Sequence, residues 1–135
     1  MSWLNLLRST MLDTYIVEDN PIIRDNLIEM LEEIANVRSV GSAQTEEDAV
    51  KELRSPDALW RLVIVDLFLA NGSGLGVLKA LALRPASRWV VVLSNYATPE
   101  MRRQCLALGA DAFFDKSSEI EELVTYCLAR SECLS

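Results

Sequence analysis

The feature that most constrains this chain is a fivefold alternation between short apolar runs and segments with helical spacing. The runs are rich in β-branched and aromatic residues, a composition that favours strands; they are Thr14–Val17, Val37–Ala43, Leu62–Val65, Trp89–Leu93 and Ala112–Phe114. Apolar residues between the runs recur at three- and four-residue intervals, as in the series Ile23, Leu27, Met30, Leu31 and Ile34. That spacing predicts amphipathic helices. We therefore expect five β-α units.

Capping residues mark the starts of several predicted helices. Asn20 followed by Pro21 is typical of a helix N-cap with proline at the first helical position. The segment Thr45–Asp48 resembles a capping box in which Asp replaces the usual Glu. Ser117 or Ser118 is expected to cap the last helix.

The order of the elements predicts the fold class. Strands separated by helices imply right-handed crossovers and a parallel sheet covered on both faces. Leu62–Val65 and Trp89–Leu93 are continuously apolar, as strands buried on both faces are. We predict an α/β protein with a flavodoxin-like, doubly wound sheet of five parallel strands and five helices, (βα)5. In this architecture ligands bind beyond the carboxyl ends of the strands, where the strand order switches.

The composition argues against several classes of function. The 135 residues carry a net charge of −7 and include no histidine. Because an acidic surface repels phosphate backbones, direct nucleic acid binding by this chain is not expected. Without histidine, Ser/His and Cys/His catalysis and most zinc hydrolase schemes lack their base or ligand. The three cysteines are odd in number and have no C-x-x-C spacing, which favours reduced thiols.

The length fits one ordinary domain. We expect residues 1–10 to be an N-terminal extension, residues 11–131 the folded domain, and residues 132–135 a C-terminal tail. The first ten residues are too short and too interrupted for a secretion signal. No run approaches the roughly 18 apolar residues of a membrane span. A cytoplasmic protein that does not associate with membranes is therefore expected.

Polar residues follow four of the predicted strands. Glu18 and Asp19 follow the first strand, Asp66 the third, Ser94 the fourth and Lys116 the fifth. Because the carboxyl ends of parallel strands meet at one edge of the sheet, we expect these side chains to converge. Three carboxylates in one crevice repel each other, and a hard divalent cation with oxygen ligands relieves that repulsion. The sequence therefore predicts a Mg²⁺ site.

In order and position, these residues resemble the receiver domain of two-component response regulators. The resemblance covers nearly the whole chain, from residue 11 to residue 130. It rests on the acid pair after the first strand, the acid after the third, the hydroxyl after the fourth and the lysine after the fifth. Gly74 also lies eight residues after Asp66, where the family usually has glycine.

The resemblance implies a phosphoacceptor site. Asp66 would be the nucleophile that forms an acyl phosphate. Asp19 and Asp66 would bind Mg²⁺ directly, together with the backbone carbonyl of Phe68, and Glu18 would act through water. Lys116 would pair with a phosphoryl oxygen.

The resemblance also implies a switch. Ser94 would donate a hydrogen bond to the phosphoryl group, and its movement would be coupled to Phe113.

Four of the implied site residues also have a purely structural interpretation. Asp19 could help to cap a helix, Asp66 could start a turn, Lys116 could be solvated and Phe113 could be a core residue.

Several positions depart from the common family pattern. Ala70 and Ser117 stand where proline is frequent, and Phe113 lacks the hydroxyl of the frequent tyrosine. Asn95 replaces the usual small residue after the switch hydroxyl.

Phe68 and Tyr96, two residues past Asp66 and Ser94, are expected to flank the site. Our hypothesis is that these rings shield the acyl phosphate from water; simple coverage of the sheet edge is the alternative.

The implied function is that of a response regulator in two-component signalling. A histidine kinase or phosphotransfer protein would supply the phosphoryl group, and the added charge would change binding to a downstream protein partner. The chain would not be an enzyme beyond catalysing its own phosphorylation and dephosphorylation.

The fourth helix, fifth strand and fifth helix would form the output face. Its charges could also pair across a homodimer; they are Arg102, Arg103, Asp115, Glu119 and Glu121.

Two alternatives differ in class. One is a small phosphatase-like enzyme with an aspartyl-phosphate intermediate, for which a D-x-D motif on the first strand would be typical, whereas Glu18-Asp19 stands here. The other is a pseudo-receiver that binds partners without being phosphorylated, which the intact acids and Lys116 disfavour.

Overall fold

The computed structural model describes residues 11–134, which form one five-stranded sheet flanked by five helices. The strands are β1 (Leu12–Val17), β2 (Val37–Ala43), β3 (Leu62–Val65), β4 (Trp89–Ser94) and β5 (Ala112–Asp115). The helices are α1 (Pro21–Ile34), α2 (Glu46–Leu53), α3 (Gly74–Ala80), α4 (Pro99–Ala107) and α5 (Ile120–Glu132). The expected extension, residues 1–10, lies outside the described residues, and α5 continues into the expected tail.

All strand pairs are parallel, and the strand order is β2-β1-β3-β4-β5. The order reverses direction between β1 and β3, which makes the carboxyl ends of these two strands the switch point. The predicted α/β class and flavodoxin-like (βα)5 architecture are therefore confirmed.

Two hydrophobic cores lie on opposite faces of the sheet. In β3, Val63 and Val65 pack into the core on one face, and Leu62 and Ile64 pack into the core on the other. All four are buried. A strand buried on both faces has no need for polar alternation, which explains the continuous apolar run in the sequence.

The helix caps agree with the sequence in most places. Asn20 Oδ1 accepts hydrogen bonds from the backbone N–H groups of Ile22 (2.9 Å) and Ile23 (3.1 Å). Thr45 Oγ1 accepts one from the N–H of Asp48 (3.2 Å). These contacts satisfy N–H groups that have no partner within a helix.

The predicted cap of the last helix is wrong. Neither Ser117 nor Ser118 caps α5, because the helix begins at Ile120 with Glu119 in the cap position. The N–H and hydroxyl of Ser117 both donate to Asp115 Oδ1, at 2.8 and 2.7 Å. This local Asx-type turn competes with capping and commits the serine to the loop.

Within residues 11–134, none of the helices has the length and apolar character required to cross a lipid bilayer.

Candidate functional site

Backbone hydrogen bonds beyond the strand ends bring the predicted site residues together. The N–H of Glu18 donates to the carbonyl of Ala43 (3.0 Å), and the N–H of Asp66 donates to the carbonyl of Val17 (2.9 Å). The N–H of Lys116 donates to the carbonyl of Ser94 (3.0 Å). These bonds extend the parallel ladders by one residue, so the side chains that follow the strands emerge at one edge.

Three carboxylates form a cluster at this edge. Glu18, Asp19 and Asp66 each offer an oxygen atom that lies within 4.8 Å of the others. Glu18 is buried, with 3% of its side chain exposed, whereas Asp19 and Asp66 are half-buried. Solvent can therefore reach the cluster on the side of the two aspartates, whereas the Glu18 side is buried.

Lys116 reaches the same cluster from the end of β5. Its Nζ donates to Glu18 Oε1 at 2.6 Å and to Asp66 Oδ2 at 3.0 Å. The bond to Asp66 joins the predicted phosphoryl-binding lysine to the predicted acceptor. The shorter bond to Glu18 is an additional contact that the sequence does not predict, because the bond depends on how far Glu18 is buried.

Burial controls the protonation of Glu18. Its pKa is raised from 4.5 to about 7, chiefly by burial and further by Asp66, while the bond to Lys116 acts in the opposite direction. A small cavity lined by Leu27, Ile64 and Leu93 adjoins the carboxylate and explains the loss of hydration. Near neutral pH, Glu18 is therefore partly protonated.

Lys116 remains charged. Burial would lower the pKa of its ammonium group, but the hydrogen bonds to Glu18 and Asp66 outweigh this effect and raise the pKa. One ammonium group faces three carboxylates, so the site keeps excess negative charge whenever the acids are ionised.

The donor set fits Mg²⁺. All three side chains in the cluster offer carboxylate oxygen, no nitrogen or sulfur ligand is present among them, and two are accessible to solvent. Hard oxygen ligands and room for retained water are what Mg²⁺ prefers. The contribution of the Phe68 carbonyl remains a prediction.

The two predicted switch residues lie in the interior. Ser94 is fully buried, and its hydroxyl accepts a hydrogen bond from the N–H of Tyr96 at 3.0 Å. Phe113 is also buried, and the Arg102 guanidinium lies 5.1 Å from the centre of its ring. Both residues thus occupy packed positions in this conformation, and a switching role for them stays a prediction.

The two predicted flanking rings contact each other. Phe68 and Tyr96 have ring centroids 4.4 Å apart at an interplanar angle of 46°. They are 53% and 57% exposed, so the pair lies at the surface. Asn95, between Ser94 and Tyr96, is also exposed. The pair joins the loop after β3 to the loop after β4.

An ion pair within the chain occupies part of the expected output face. Arg102 Nη2 on α4 lies 2.5 Å from Glu119 Oε1, and the same carboxylate oxygen accepts a hydrogen bond from the N–H of Asp115 at 2.8 Å. Arg102 and Glu119 therefore pair with each other here. Arg103 and Glu121 form no ion pair among the described residues.

One residue near the site, Glu46, has no functional signal in the sequence. Glu46, in the first turn of α2, accepts a hydrogen bond from the N–H of Ser73, at the start of α3, at 2.9 Å. In the sequence this residue reads only as part of a helix start.

Comparison with known proteins gives consistent matches. The sequence pattern described as the response regulator receiver domain matches residues 14–127. A probable transcriptional regulatory protein from Picosynechococcus is 32% identical over 124 residues, which are 90% of this chain and 49% of that protein. Response regulator UvrY from Escherichia coli is 24% identical over 115 residues, which are 85% of this chain and 52% of that protein. The chain spans about half the length of these curated relatives.

Solved structures match over nearly the whole chain. The receiver domain of Francisella response regulator 1452 has a TM-score of 0.78 at 17% identity, covering 92% of this chain and 99% of that one. The signal receiver domain of NarL from Mycobacterium tuberculosis has a TM-score of 0.78 at 22% identity, covering 90% and 97%. At this level of identity, the likeness shows the shared fold.

Proposed function

The chain belongs to the response regulator receiver domain family of two-component systems, and we propose that it accepts a phosphoryl group on Asp66 in a Mg²⁺-dependent reaction. A single observation carries the proposal. The Lys116 ammonium lies 3.0 Å from an oxygen of Asp66, in a cluster of three carboxylates. That arrangement combines a nucleophile, a metal-binding set and a cation for the incoming phosphoryl group.

The proposed reaction is a transfer from phosphohistidine to carboxylate. A side-chain oxygen of Asp66 attacks phosphorus, the phosphorus–nitrogen bond breaks, and the imidazole leaves with the bonding electrons and takes up a proton. Asp19, Asp66 and the Phe68 carbonyl would hold Mg²⁺ directly, and Glu18 would hold it through water. The bound metal would neutralise negative charge on the transferring group.

Lys116 would change partners during this reaction. In the present conformation its ammonium group donates to Glu18 and Asp66. A phosphoryl group on Asp66 would add negative oxygens beside it, and we propose that the lysine then pairs with one of them. Because lysine is a point charge on a flexible stem, it can follow the charge without reorganising the sheet.

The proposed switch starts at Ser94. Its hydroxyl would leave the N–H of Tyr96 and donate to the phosphoryl group. Phe113, which has no hydroxyl, would follow by repacking alone.

The proposed output surface is formed by α4, β5 and α5. The ion pair between Arg102 and Glu119 would connect α4 to the start of α5. Downstream protein partners, or a second copy of the chain, would bind there.

We propose that a cytoplasmic histidine kinase or phosphotransfer protein supplies the phosphoryl group. The three cysteines are all free thiols, which agrees with a reducing compartment. The matched family is that of response regulator receiver domains, and the relative from Escherichia coli is named a response regulator, so a signalling role is favoured over turnover of a separate substrate.

The exposed ring pair suggests a further role at the site entrance. Phe68 and Tyr96 contact each other two residues past Asp66 and Ser94. We propose that they limit the access of water to the acyl phosphate and so slow its hydrolysis.

Incubation with acetyl phosphate and Mg²⁺ tests the function. Intact mass measurement should show one added phosphoryl group in the wild-type protein and none in Asp66→Ala. Chelation of Mg²⁺ should also prevent the modification. Equal labelling of the wild type and the Asp66→Ala variant would show that the acceptor lies elsewhere.

A further inference from the structure

We propose that Glu46 is a positioning residue for the acceptor site, an inference that rests on the proposed function. The segment concerned is the acceptor loop, defined as residues 67–73, which connects Asp66 to the start of α3. Glu46 lies outside this loop, at the first position of α2. It contacts the loop through both its backbone and its side chain.

Two hydrogen bonds fix the far end of the acceptor loop to α2. The backbone N–H of Glu46 donates to the carbonyl of Asn71 at 3.0 Å. The side-chain Oε1 of Glu46 accepts from the N–H of Ser73 at 2.9 Å. The first of these bonds belongs to an isolated parallel bridge between Thr45 and Asn71. One residue therefore binds two positions of the loop, one as donor and one as acceptor.

The neighbouring glycines leave room for this carboxylate. A Cβ atom on Gly76 would lie 2.3 Å from Glu46 Oε1, and one on Gly72 would lie 2.4 Å from Glu46 Cβ. Gly72 has a φ of +80°, a conformation that favours glycine anyway. Gly76 is helical without a positive φ, so its backbone gives no reason for glycine. The carboxylate of Glu46 supplies that reason.

Short-range backbone contacts connect Ser73, which Glu46 holds, to the acceptor Asp66. Ser73, which Glu46 binds, forms an isolated bridge with Phe68. The next residue, Gly74, donates its N–H to the carbonyl of Leu67 at 2.9 Å. A Cβ on Gly74 would lie 2.2 Å from the backbone oxygen of Asp66, so α3 begins directly against the acceptor. Fixing Ser73 thus fixes the backbone that carries Asp66 and the proposed Phe68 ligand.

A simpler role for Glu46 is helix stabilisation. Acids in the first turn of a helix interact favourably with its dipole, and α2 carries three: Glu46, Glu47 and Asp48. Glu47 is the matched control, because it has the same charge in the same turn but is exposed and makes no hydrogen bond to the acceptor loop. If the dipole accounted for the role of Glu46, substitution of either glutamate would have the same effect.

The first test uses metal-free protein and needs no phosphodonor. Amide hydrogen exchange at Ser73 should be about tenfold faster in Glu46→Ala, because the hydrogen bond that protects this N–H group is lost. Gly76→Ala should have a similar effect, because the new methyl group displaces the carboxylate. Glu46→Gln, whose amide oxygen can still accept, and Glu47→Ala should exchange like the wild type. Unchanged exchange in Glu46→Ala would overturn the inference.

The second test measures the Mg²⁺ dissociation constant by calorimetric titration. Glu46→Ala and Gly76→Ala should bind Mg²⁺ about tenfold more weakly, as expected when a residue that orients a ligand is removed. Glu46→Gln and Glu47→Ala should stay close to the wild type. Faster exchange with unchanged Mg²⁺ affinity would show a purely structural contact and would overturn the positioning role. A wild-type protein that binds no Mg²⁺ would contradict the proposed function itself and the positioning role with it, and the exchange data would still report on the Glu46 contact.

Discussion

Among single residues, Glu18 has the most unusual environment in the site. A buried carboxylate next to a second carboxylate loses hydration and gains repulsion, and both effects favour the protonated form. The hydrogen bond to Lys116 offsets them only in part. When Glu18 is ionised, the electrostatic energy of the site is therefore unfavourable, and a bound cation would lower it.

The stability of the metal-free protein should depend on Glu18 and on pH. The pKa of Glu18 is about 7 in the fold against an ordinary value of 4.5. Between these values the folded state binds the proton more tightly, so the contribution of Glu18 to the free energy of unfolding is full below about pH 4.5 and is lost as pH rises through about 7. Urea unfolding should show the wild type losing about 2 kcal/mol relative to Glu18→Gln between about pH 5.5 and about pH 8. Parallel pH profiles for the two proteins would contradict this assignment.

Mg²⁺ affinity should change with pH in the opposite sense. In the proposed site Glu18 has to be ionised to hold Mg²⁺ through water, so binding below its pKa of about 7 should release a proton. Affinity should increase by up to about tenfold per pH unit as the pH rises towards 7 and should level off above it. Calorimetric titration in buffers of different ionisation enthalpy measures both the affinity and the released proton. The Glu18→Gln variant should bind more weakly, with little dependence on pH in this range.

The lifetime of the acyl phosphate should depend on the two exposed rings. Loss of phosphoryl-Asp66 should be several-fold faster in a Phe68→Asn, Tyr96→Ala double variant, because water would then reach the phosphorus more easily. Decay can be followed by intact mass after the phosphodonor is removed. Leu83→Ala is a suitable control, since Leu83 is 99% exposed and lies outside the site. A decay rate equal to that of the control would show that the two rings cover the sheet edge without protecting the acyl phosphate from water.

At the scale of elements, Glu46 connects α2 to the start of α3, because its carboxylate accepts a hydrogen bond from Ser73 and occupies the space beside Gly76. This contact predicts a non-additive pair of substitutions. Gly76→Ala should destabilise the wild type, because the methyl group displaces the Glu46 carboxylate from Ser73. In a Glu46→Ala background the same change should stabilise the protein by about 0.5 kcal/mol, because alanine is the better helix former. Denaturant unfolding of the four proteins gives a coupling free energy, which we expect to be about 1–2 kcal/mol. A coupling near zero would show that the two residues act independently.

Elements with strong local signals could be predicted from the sequence. The continuous apolar runs of β3 and β4 identify strands buried on both faces, and the Asn20-Pro21 pair fixes the start of α1. The ends of β1, β3 and β5 then place the acids and the lysine at one edge. The element order carries this information because parallel strands joined by helices allow few alternative topologies.

Features that depend on loop conformation could not be predicted in this way. The start of α5 was misplaced because Asp115 captures Ser117 in a turn, and either serine is chemically able to cap a helix. The Glu18–Lys116 pair depends on the depth at which two distant residues are buried. The Glu46 contact spans 27 positions along the chain and depends on space left by glycines. Periodicity contains no information about such contacts.

At the scale of the whole molecule, charge is unevenly distributed around the sheet. The three clustered acids lie at its carboxyl edge. A separate cleft of about 430 Å³, formed by the C-terminal ends of α2 and α3 and the turn after α3, is lined by four cationic side chains: Arg54, Lys79, Arg84 and Arg88. Cations at helix C-termini interact favourably with the helix dipole. The net charge of −7 therefore understates the negative potential at the acid cluster.

We propose that the acceptor Asp66, the carboxylates that would hold Mg²⁺ and the ammonium group of Lys116 act together at one edge of the sheet. A crystal structure with Mg²⁺ and beryllofluoride, which mimics a phosphoryl group, tests this proposal most directly. We predict beryllofluoride on Asp66, a metal ion bound by Asp19 and Asp66, and Lys116 moved from Glu18 to a fluorine atom. Beryllofluoride bound at another residue, or Lys116 still paired with Glu18 beside an occupied Asp66, would contradict the account.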